Sequence, residues 1–441
     1  MNKILKFTIV ISILFVGCGN DTKKTTDIPK PISQEDKNNT NVNNPDVNNT
    51  TTEPIKGGEL LVDFSAKKIK TNLLLEGAID ANTTVYGYKA YKIPYTTKDE
   101  TGHEVKASGL FIIPTGLPDI VKNTLGISMV ADDHGTIVSH KSAPTAEAKD
   151  TGAPEASSMV ITSIGGFATL KPDYIGFGDA KEHHHPYVQK DSLANATVDF
   201  IRQVKVFAKE NNINLNQQLF LTGYSEGGYA AMATIKKIEE EQLTDLKVTM
   251  VAPMAGPYDL ITTVTSVLSR ESWKFPALMA NFGYSYAKLK NKDLDIVFNK
   301  PYDSTIPTLF NGSLNFLGVN KGLTNTIKGK DGLFTDTFVS NYFNLQDDWF
   351  REALIENSVH EWSPKTPIRL IQCEGDDVIP YEVTTITEAK MKALGAVDVV
   401  AIPVEKTLGL DKKLRHVPCA RFTYGLTTKI FADIRKKTIG Y

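Results

Sequence analysis

The sequence predicts an α/β protein with a mostly parallel central sheet and helices on both of its faces. Two runs with alternating polarity, at residues 84–95 and 105–114, flank a turn at 98–102 and have the pattern of an antiparallel hairpin. Residues 125–131 form a continuous apolar run, as expected for a strand buried on both faces. Strand and helix patterns then alternate, which is typical of a parallel sheet covered by helices.

The later elements can be placed in chain order. Further strands are predicted at residues 168–171, 218–222, 246–252, 368–372 and 397–404. Helices are predicted at residues 192–211, 226–241, 381–394 and 419–437. The first of these helices has apolar side chains at helical spacing: Leu193, Ala196, Phe200, Ile201, Val204 and Phe207.

The alternation of strands and helices stops between residues 257 and 364. This stretch is rich in aromatic and helix-like segments, including residues 269–289 and 340–358. It predicts a helical cap inserted into a catalytic domain that spans residues 58–441. Such a cap would shape a substrate pocket, and the alternative is a purely structural insertion.

Composition and charge limit the classes of function. The 441 residues are 41% hydrophobic and 23% charged, with a formal net charge of −2. These values are ordinary for a globular protein, and no long basic run is present, so we expect no nucleic-acid partner.

The N-terminal residues 1–17 have the pattern of a secretory signal peptide. Lys3 and Lys6 precede an apolar run at residues 7–16, which is shorter than the roughly 20 residues that a membrane-spanning helix needs. The residues up to Cys18 resemble a bacterial lipobox, which implies cleavage before Cys18 and acylation of its thiol. The alternative is a cleaved signal with an unmodified cysteine.

The predicted lipid anchor leads to an expected location. Gly19 follows the cysteine, which in lipoproteins of this kind favours the outer membrane of the bacterial envelope; without the anchor the protein would be secreted or periplasmic. Residues 18–57 carry the cysteine and a linker rich in Asn, Thr, Lys and Asp. This linker is too poor in apolar residues to fold and is expected to be a disordered tether, the only link to a membrane.

The segment Gly223-Tyr224-Ser225-Glu226-Gly227 lies between a predicted strand and a predicted helix. A strand–turn–helix context is what a nucleophile elbow requires, because the glycines allow a sharp turn that exposes the serine hydroxyl. The helix N-terminus would also direct backbone N–H groups at the reacting carbonyl oxygen. Ser225 is therefore the candidate nucleophile.

A serine nucleophile needs a histidine base and a carboxylate, which follow it in the order acid, then histidine. His360 and His416 are the histidines beyond Ser225, and His360 falls in the predicted cap. We therefore predict His416 as the base, in a loop before the final helix. The acid should follow the strand at 368–372, where Asp376 stands four residues before a proline; Asp377 is the alternative.

These residues resemble the α/β-hydrolase fold and, more narrowly, the secretory lipase family of fungi and bacteria. The narrower likeness rests on P-D-Y-I-G-F-G-D at residues 172–179, on H-P-Y at 185–187, on GYSEGG at 223–228 and on the long helical segment. It extends from about residue 84 to the C-terminus. The resemblance implies hydrolysis of small-molecule or lipid carboxylic esters through an acyl-enzyme, with no cofactor.

An oxyanion hole requires backbone donors near the nucleophile. The N–H of Glu226 is the first candidate, and the second is the N–H of Gly135 or Thr136 in the His-Gly-Thr segment that follows an earlier strand. Asp132 and Asp133 adjoin this segment. Their negative charge would oppose a forming oxyanion unless it is neutralised.

A run of histidines and a pair of cysteines are further features of the sequence. Consecutive histidines at 183–185 without further Cys or His ligands nearby favour a structural role that supports the following turn over a zinc site. Besides Cys18, the chain contains Cys373 and Cys419, which adjoin the candidate acid and base. In an oxidising compartment we expect a disulfide between them, and the alternative is two buried thiols.

Two other functions share parts of this pattern. A serine peptidase of the prolyl-oligopeptidase type has the same order of catalytic residues, but no propeller repeats are visible. A non-catalytic binding protein of the same fold would usually have lost the serine or the histidine, and both are present here.

Overall fold

The structure is a computed structural model that describes residues 56–75, 79–151, 157, 159–346 and 349–441. The predicted signal peptide, acylated Cys18 and nearly all of the linker lie outside these residues.

One mixed sheet organises the described part of the chain. Its nine strands have the spatial order β1-β2-β3-β5-β4-β6-β7-β8-β9. The pairs β1/β2, β2/β3 and β3/β5 are antiparallel, and all later pairs are parallel. The strands are β1 (Glu59–Phe64), β2 (Gly87–Lys98), β3 (Glu104–Thr115), β4 (Ile127–Asp133), β5 (Ala168–Pro172), β6 (Leu215–Tyr224), β7 (Val248–Met254), β8 (Ile368–Gln372) and β9 (Val399–Pro403).

Helices connect and cover these strands. The described α-helices are α1 (Ala66–Leu75), α2 (Pro144–Thr151), α3 (Lys190–Glu210), α4 (Glu226–Glu240), α5 (Leu260–Leu268), α6 (Pro276–Leu289), α7 (Tyr302–Leu309), α8 (Phe316–Lys321), α9 (Asp336–Asn344), α10 (Trp349–Asn357), α11 (Tyr381–Ala393), α12 (Val404–Leu408) and α13 (His416–Thr438). Short π-helical turns occur at Val121–Leu125 and Met159–Ile164.

Helices cover both faces of the sheet. Successive residues of a strand point to opposite faces and therefore pack into cores on opposite sides of the sheet. In β6, Leu219 and Leu221 belong to the larger core, which includes apolar residues of α3 and α4. Phe220 lies between them and packs in the second core against Phe431 of α13, with ring centroids 4.5 Å apart. The predicted sheet with helices on both faces is thus confirmed.

The structure differs from the sequence predictions at several element boundaries. β1 and α1 were not predicted; β1 lies at the sheet edge, and Val62 is its one buried residue. β9 ends at Pro403 because Val404 begins α12. The placement of His416 in a loop is wrong, since α13 begins at this residue.

Six helices, α5 to α10, occupy most of the segment between residues 257 and 364. α6 packs on the residues that precede α3: the Gln189 side-chain amide donates to Ser285 Oγ at 2.8 Å, and the Tyr286 hydroxyl donates to the carbonyl of Val188 at 2.9 Å. Among the described residues, no helix combines the length and the apolar character needed to cross a membrane.

Candidate active site

Ser225 occupies a sharp turn between the end of β6 and the start of α4. Its backbone has φ 60° and ψ −121°, a left-handed φ that is rare for residues other than glycine. The turn is tightly packed: a Cβ added to Gly227 would lie 1.9 Å from the carbonyl oxygen of Asp133. The Ser225 N–H donates to the carbonyl of Met254 at 2.9 Å and fixes the turn to β7. Strand, turn and helix thus have the arrangement predicted for a nucleophile elbow.

Ser225, His416 and Asp376 form a hydrogen-bonded chain, although they come from three separate parts of the sequence. His416 Nε2 lies 2.9 Å from Ser225 Oγ, and His416 Nδ1 lies 2.7 Å from Asp376 Oδ2. Since an ionised carboxylate only accepts, Nδ1–H donates to Asp376 and leaves Nε2 free to accept the serine proton. The other oxygen of Asp376 accepts the N–H groups of Val378 and Ile379.

Asp377, the alternative acid, does not contact the imidazole ring. It accepts the backbone N–H of His416 at 3.1 Å and pairs with Lys274 at 2.6 Å. Burial raises the pKa of Asp377, but the hydrogen bonds from Lys274 and His416 outweigh it, so the pKa is lowered overall. His360, the other histidine, lies 4.0 Å from Asp259 at the start of α5.

The candidate oxyanion donors flank Ser225. Glu226 is the first residue of α4, where N–H groups have no partner within the helix. Gly135 lies against the elbow, because an added Cβ would be 3.7 Å from Ser225 Cβ. No backbone or side-chain acceptor in the described part of the chain takes up the N–H of Gly135 or Thr136.

The two aspartates beside this loop do not present uncompensated charge. Asp132 is fully buried and accepts a hydrogen bond from Lys171 Nζ at 2.7 Å and another from the Tyr424 hydroxyl at 2.9 Å. Burial raises the pKa of Asp133 to about 8 despite a hydrogen bond from Thr197, so this carboxyl is mostly protonated at neutral pH. The expected conflict with a forming oxyanion is therefore resolved by an ion pair and by protonation.

The carboxyl of Glu226 has a partner that the sequence analysis missed. Glu226 Oε1 lies 2.8 Å from His185 Nε2, and both side chains are buried. His185 Nδ1 lies 2.8 Å from the carbonyl oxygen of Ile175. No local sequence pattern signals this pair, because its two members lie 41 residues apart in the chain.

The neighbouring histidine is in a different environment. The ring of His184 contacts Tyr284, with centroids 4.6 Å apart. Burial, with smaller electrostatic effects of His185 and Lys288, lowers the pKa of His184 to about 3. Among the described residues, no three His, Cys, Asp or Glu side chains gather as metal ligands would.

A disulfide joins Cys373 to Cys419, with Cα atoms 6.0 Å apart. Cys373 directly follows β8 and precedes Asp376 by three residues, while Cys419 lies in the first turn of α13, three residues after His416. The bond therefore ties together the two segments that carry the acid and the base.

Comparisons with known proteins agree with this architecture. A model of the secretory lipase family matches residues 151–404, more than half of the chain. No curated protein matches the chain. Three solved structures are similar: a Legionella pneumophila protein, the rice cell wall degrading esterase LipA from Xanthomonas oryzae and Candida antarctica lipase A in its closed state.

The structural likeness covers most of each chain. The Legionella protein is 24% identical over 86% of this chain and 98% of its own, with a TM-score of 0.74. The Xanthomonas esterase is 20% identical over 87% of this chain and 98% of its own, with a TM-score of 0.72. The Candida lipase is 13% identical over 86% of this chain and 81% of its own, with a TM-score of 0.61. At these identities the structures show the shared α/β-hydrolase fold.

The family match confirms the resemblance inferred from the elbow and from the P-D-Y-I-G-F-G-D and H-P-Y motifs that precede it. It also supports ester hydrolysis over peptide hydrolysis or ligand binding alone, and it indicates a secreted protein. The protein belongs to the secretory lipase family and is a carboxylic ester hydrolase of the α/β-hydrolase fold.

Proposed function

We propose that Ser225, His416 and Asp376 perform the ester hydrolysis as nucleophile, general base and orienting acid. The observation that carries this assignment is the continuous hydrogen-bonded chain from Ser225 Oγ through the imidazole to Asp376 Oδ2, at 2.9 and 2.7 Å. The serine sits at the end of a central strand and directly before α4, whose first backbone N–H groups have no partner within the helix.

In the proposed mechanism, Ser225 Oγ attacks the ester carbonyl carbon while His416 Nε2 takes the hydroxyl proton. The carbonyl π electrons move to the oxygen, and the N–H groups of Glu226 and of Gly135 or Thr136 donate to this oxyanion. Each such donor is typically worth about 3 kcal/mol of transition-state stabilisation. Asp376 holds the imidazolium in place by accepting from Nδ1–H.

The tetrahedral intermediate then collapses, and His416 gives its proton to the leaving alkoxide as the C–O bond breaks. The product is an acyl-enzyme on Ser225 and a free alcohol. Water attacks this acyl group with His416 again as base, the carboxylic acid departs, and the serine recovers its proton. The ester and one water molecule are the only reactants that these steps require besides the side chains of the protein.

We also infer that the helical segment at residues 257–364 shapes the acyl-binding pocket. In support, α6 of this segment is hydrogen-bonded to Val188 and Gln189, which directly follow the H-P-Y residues beside the elbow. The aromatic side chains of the segment favour an apolar acyl group.

We propose that the enzyme is held at the cell envelope by an acylated Cys18 and a flexible linker. The family indicates export from the cell, and the lipobox-like residues before Cys18 support anchoring at the outer membrane.

Replacement of Ser225 with alanine tests the assignment. S225A should lower kcat for p-nitrophenyl butyrate by about 10⁶-fold, because the nucleophile is removed while the binding surface remains. The matched control is S269A, which removes an exposed serine at the end of α5. Thermal unfolding of both variants should stay close to that of the wild type. Wild-type turnover by a folded S225A would refute the assignment.

A further inference from the structure

We propose that the segment His185-Pro186-Tyr187 positions both sides of the oxyanion hole and keeps its surroundings electrically neutral. His185 binds the carboxyl of Glu226, and the Tyr187 hydroxyl lies 3.0 Å from Thr136 Oγ1. Glu226 is a candidate donor, and Thr136 belongs to the segment that carries the second candidate donor, so one short segment contacts both parts of the proposed oxyanion hole. This inference rests on the proposed function, because it assumes that an oxyanion forms beside Ser225.

The position of His185 is tightly determined. Gly176 has φ +93°, and a Cβ at this position would lie 2.6 Å from His185 Cβ, so only glycine lets the two backbones approach this closely. The ring of Phe177 packs against the imidazole, with centroids 4.9 Å apart. The P-D-Y-I-G-F-G-D segment thus packs directly against His185 and fixes its position.

The hydrogen bonds of His185 fix the charge of its pair with Glu226. A carbonyl oxygen only accepts, so Nδ1 carries a hydrogen and donates to Ile175. The 2.8 Å contact between Nε2 and Glu226 Oε1 then requires one further proton between the two atoms. Whether that proton resides on the ring or on the carboxyl, the net charge of the pair is zero.

Neutrality matters because of where Glu226 stands. Its backbone N–H is a proposed oxyanion donor, and its carboxyl is 1% exposed, so water does little to screen it. The second oxygen, Oε2, has no hydrogen-bond partner among the described residues. An ionised Glu226 without His185 would therefore place a poorly screened negative charge near the developing oxyanion.

The contact through Tyr187 acts on geometry rather than on charge. Tyr187 is buried, and its ring packs edge-on against Phe282 of α6, with centroids 5.1 Å apart. Its hydroxyl bond to Thr136 therefore connects the oxyanion loop to a rigid position. Glu226 and the Gly135-Thr136 segment supply the proposed donors, whereas His185 and Tyr187 are positioning residues.

The test uses kcat and KM for p-nitrophenyl butyrate at pH 8. H185Q keeps a donor toward Glu226 but cannot supply the shared proton, so kcat should fall roughly 10- to 50-fold through the uncompensated charge. KM should change less than twofold, because the oxyanion exists only in the transition state. H184Q, the same substitution one residue earlier, is the matched control and should leave both constants unchanged.

The double variant E226Q/H185Q separates charge from structure. It removes the negative charge and allows an amide–amide hydrogen bond, so kcat should recover at least fivefold over H185Q. A purely structural role predicts no recovery. A folded H185Q with wild-type kcat, or a folded double variant no faster than H185Q, would overturn the proposal.

Y187F provides an independent arm if H185Q fails to fold. Loss of one hydrogen bond to Thr136 should lower kcat about fivefold with little change in KM. The control is Y95F, whose buried hydroxyl has no partner in the described part of the chain; equal kcat in Y187F and Y95F would refute the role of Tyr187. S225A separates failure of the proposed function from failure of this inference. An active S225A would refute the proposed function itself. An inactive S225A, together with wild-type kcat in H185Q and Y187F, would refute only the positioning role.

Discussion

Asp376 and Asp377 are chain neighbours, yet they contact different atoms of the same histidine. Asp376 accepts from the imidazole Nδ1, whereas Asp377 accepts from the backbone N–H of His416 and pairs with Lys274. The first contact sets the tautomer of the ring, and the second holds the start of α13. Chemistry at the proposed active site should therefore depend on the two carboxyls to very different extents.

Asparagine substitutions at the two positions test this difference. D376N should lower kcat by about 10⁴-fold, because an amide no longer holds the imidazole in the productive tautomer. D377N should cost less than tenfold, since an asparagine oxygen can still accept the N–H of His416. Steady-state hydrolysis of p-nitrophenyl butyrate by each variant gives the comparison. A larger loss of kcat in D377N than in D376N would show that Asp377, not Asp376, is the catalytic acid.

Site residues that occur in a fixed order along the chain could be predicted from the sequence. Residues that meet only through long-range contacts could not. Ser225, Asp376 and His416 were identified because the fold fixes their order and places each after a strand. The Glu226–His185 pair joins positions 41 residues apart, and no local pattern encodes it. The position of His185 depends on tertiary packing, since its backbone lies directly against Gly176.

At the level of elements, the active site depends on how β8 is attached to α13. The disulfide between Cys373 and Cys419 closes a separation of 46 residues and lies beside both Asp376 and His416. A cross-link at this position limits how far the two segments can separate in the folded protein. It also restricts the unfolded chain.

Removal of this cross-link should destabilise the protein. The chain-entropy relation for a loop of this length predicts that C373A/C419A loses about 4 kcal/mol of the free energy of unfolding. Urea denaturation of the variant and of the wild type measures the loss, and wild type treated with reductant should behave like the variant. Two titratable thiols from Cys373 and Cys419 in the denatured, unreduced wild type would show that the bond does not form.

Element boundaries were less predictable than element types. The final helix was expected to begin after Pro418, yet α13 begins at His416. A proline is tolerated in the first helical turn, because an N–H there has no partner within the helix. β1 escaped prediction because its apolar residues Leu60, Leu61 and Val62 are consecutive and do not alternate with polar ones as in a half-buried strand.

At the scale of the whole molecule, the described sheet and its hydrophobic core clusters are built from residues that follow position 58. The segment that contains Cys18 supplies none of the proposed active-site groups. Location and catalysis should therefore be separable.

A C18A variant tests this separation. If Cys18 is acylated, the wild type should sediment with the membrane fraction, and C18A should move to the soluble fraction because the lipid anchor is lost. The kcat of C18A for a soluble ester should equal that of the wild type. S225A is the control and should stay with the membranes despite its lack of activity. A soluble wild type would contradict the anchor.

The proposed mechanism requires Ser225 to be the nucleophile, and labelling with a fluorophosphonate probe examines this role. The probe should inactivate the wild type with a stoichiometry of one, and mass spectrometry of the digested protein should place the adduct on Ser225. S225A should remain unlabelled. An adduct on a different residue, or full esterase activity after Ser225 is modified, would contradict the central claim.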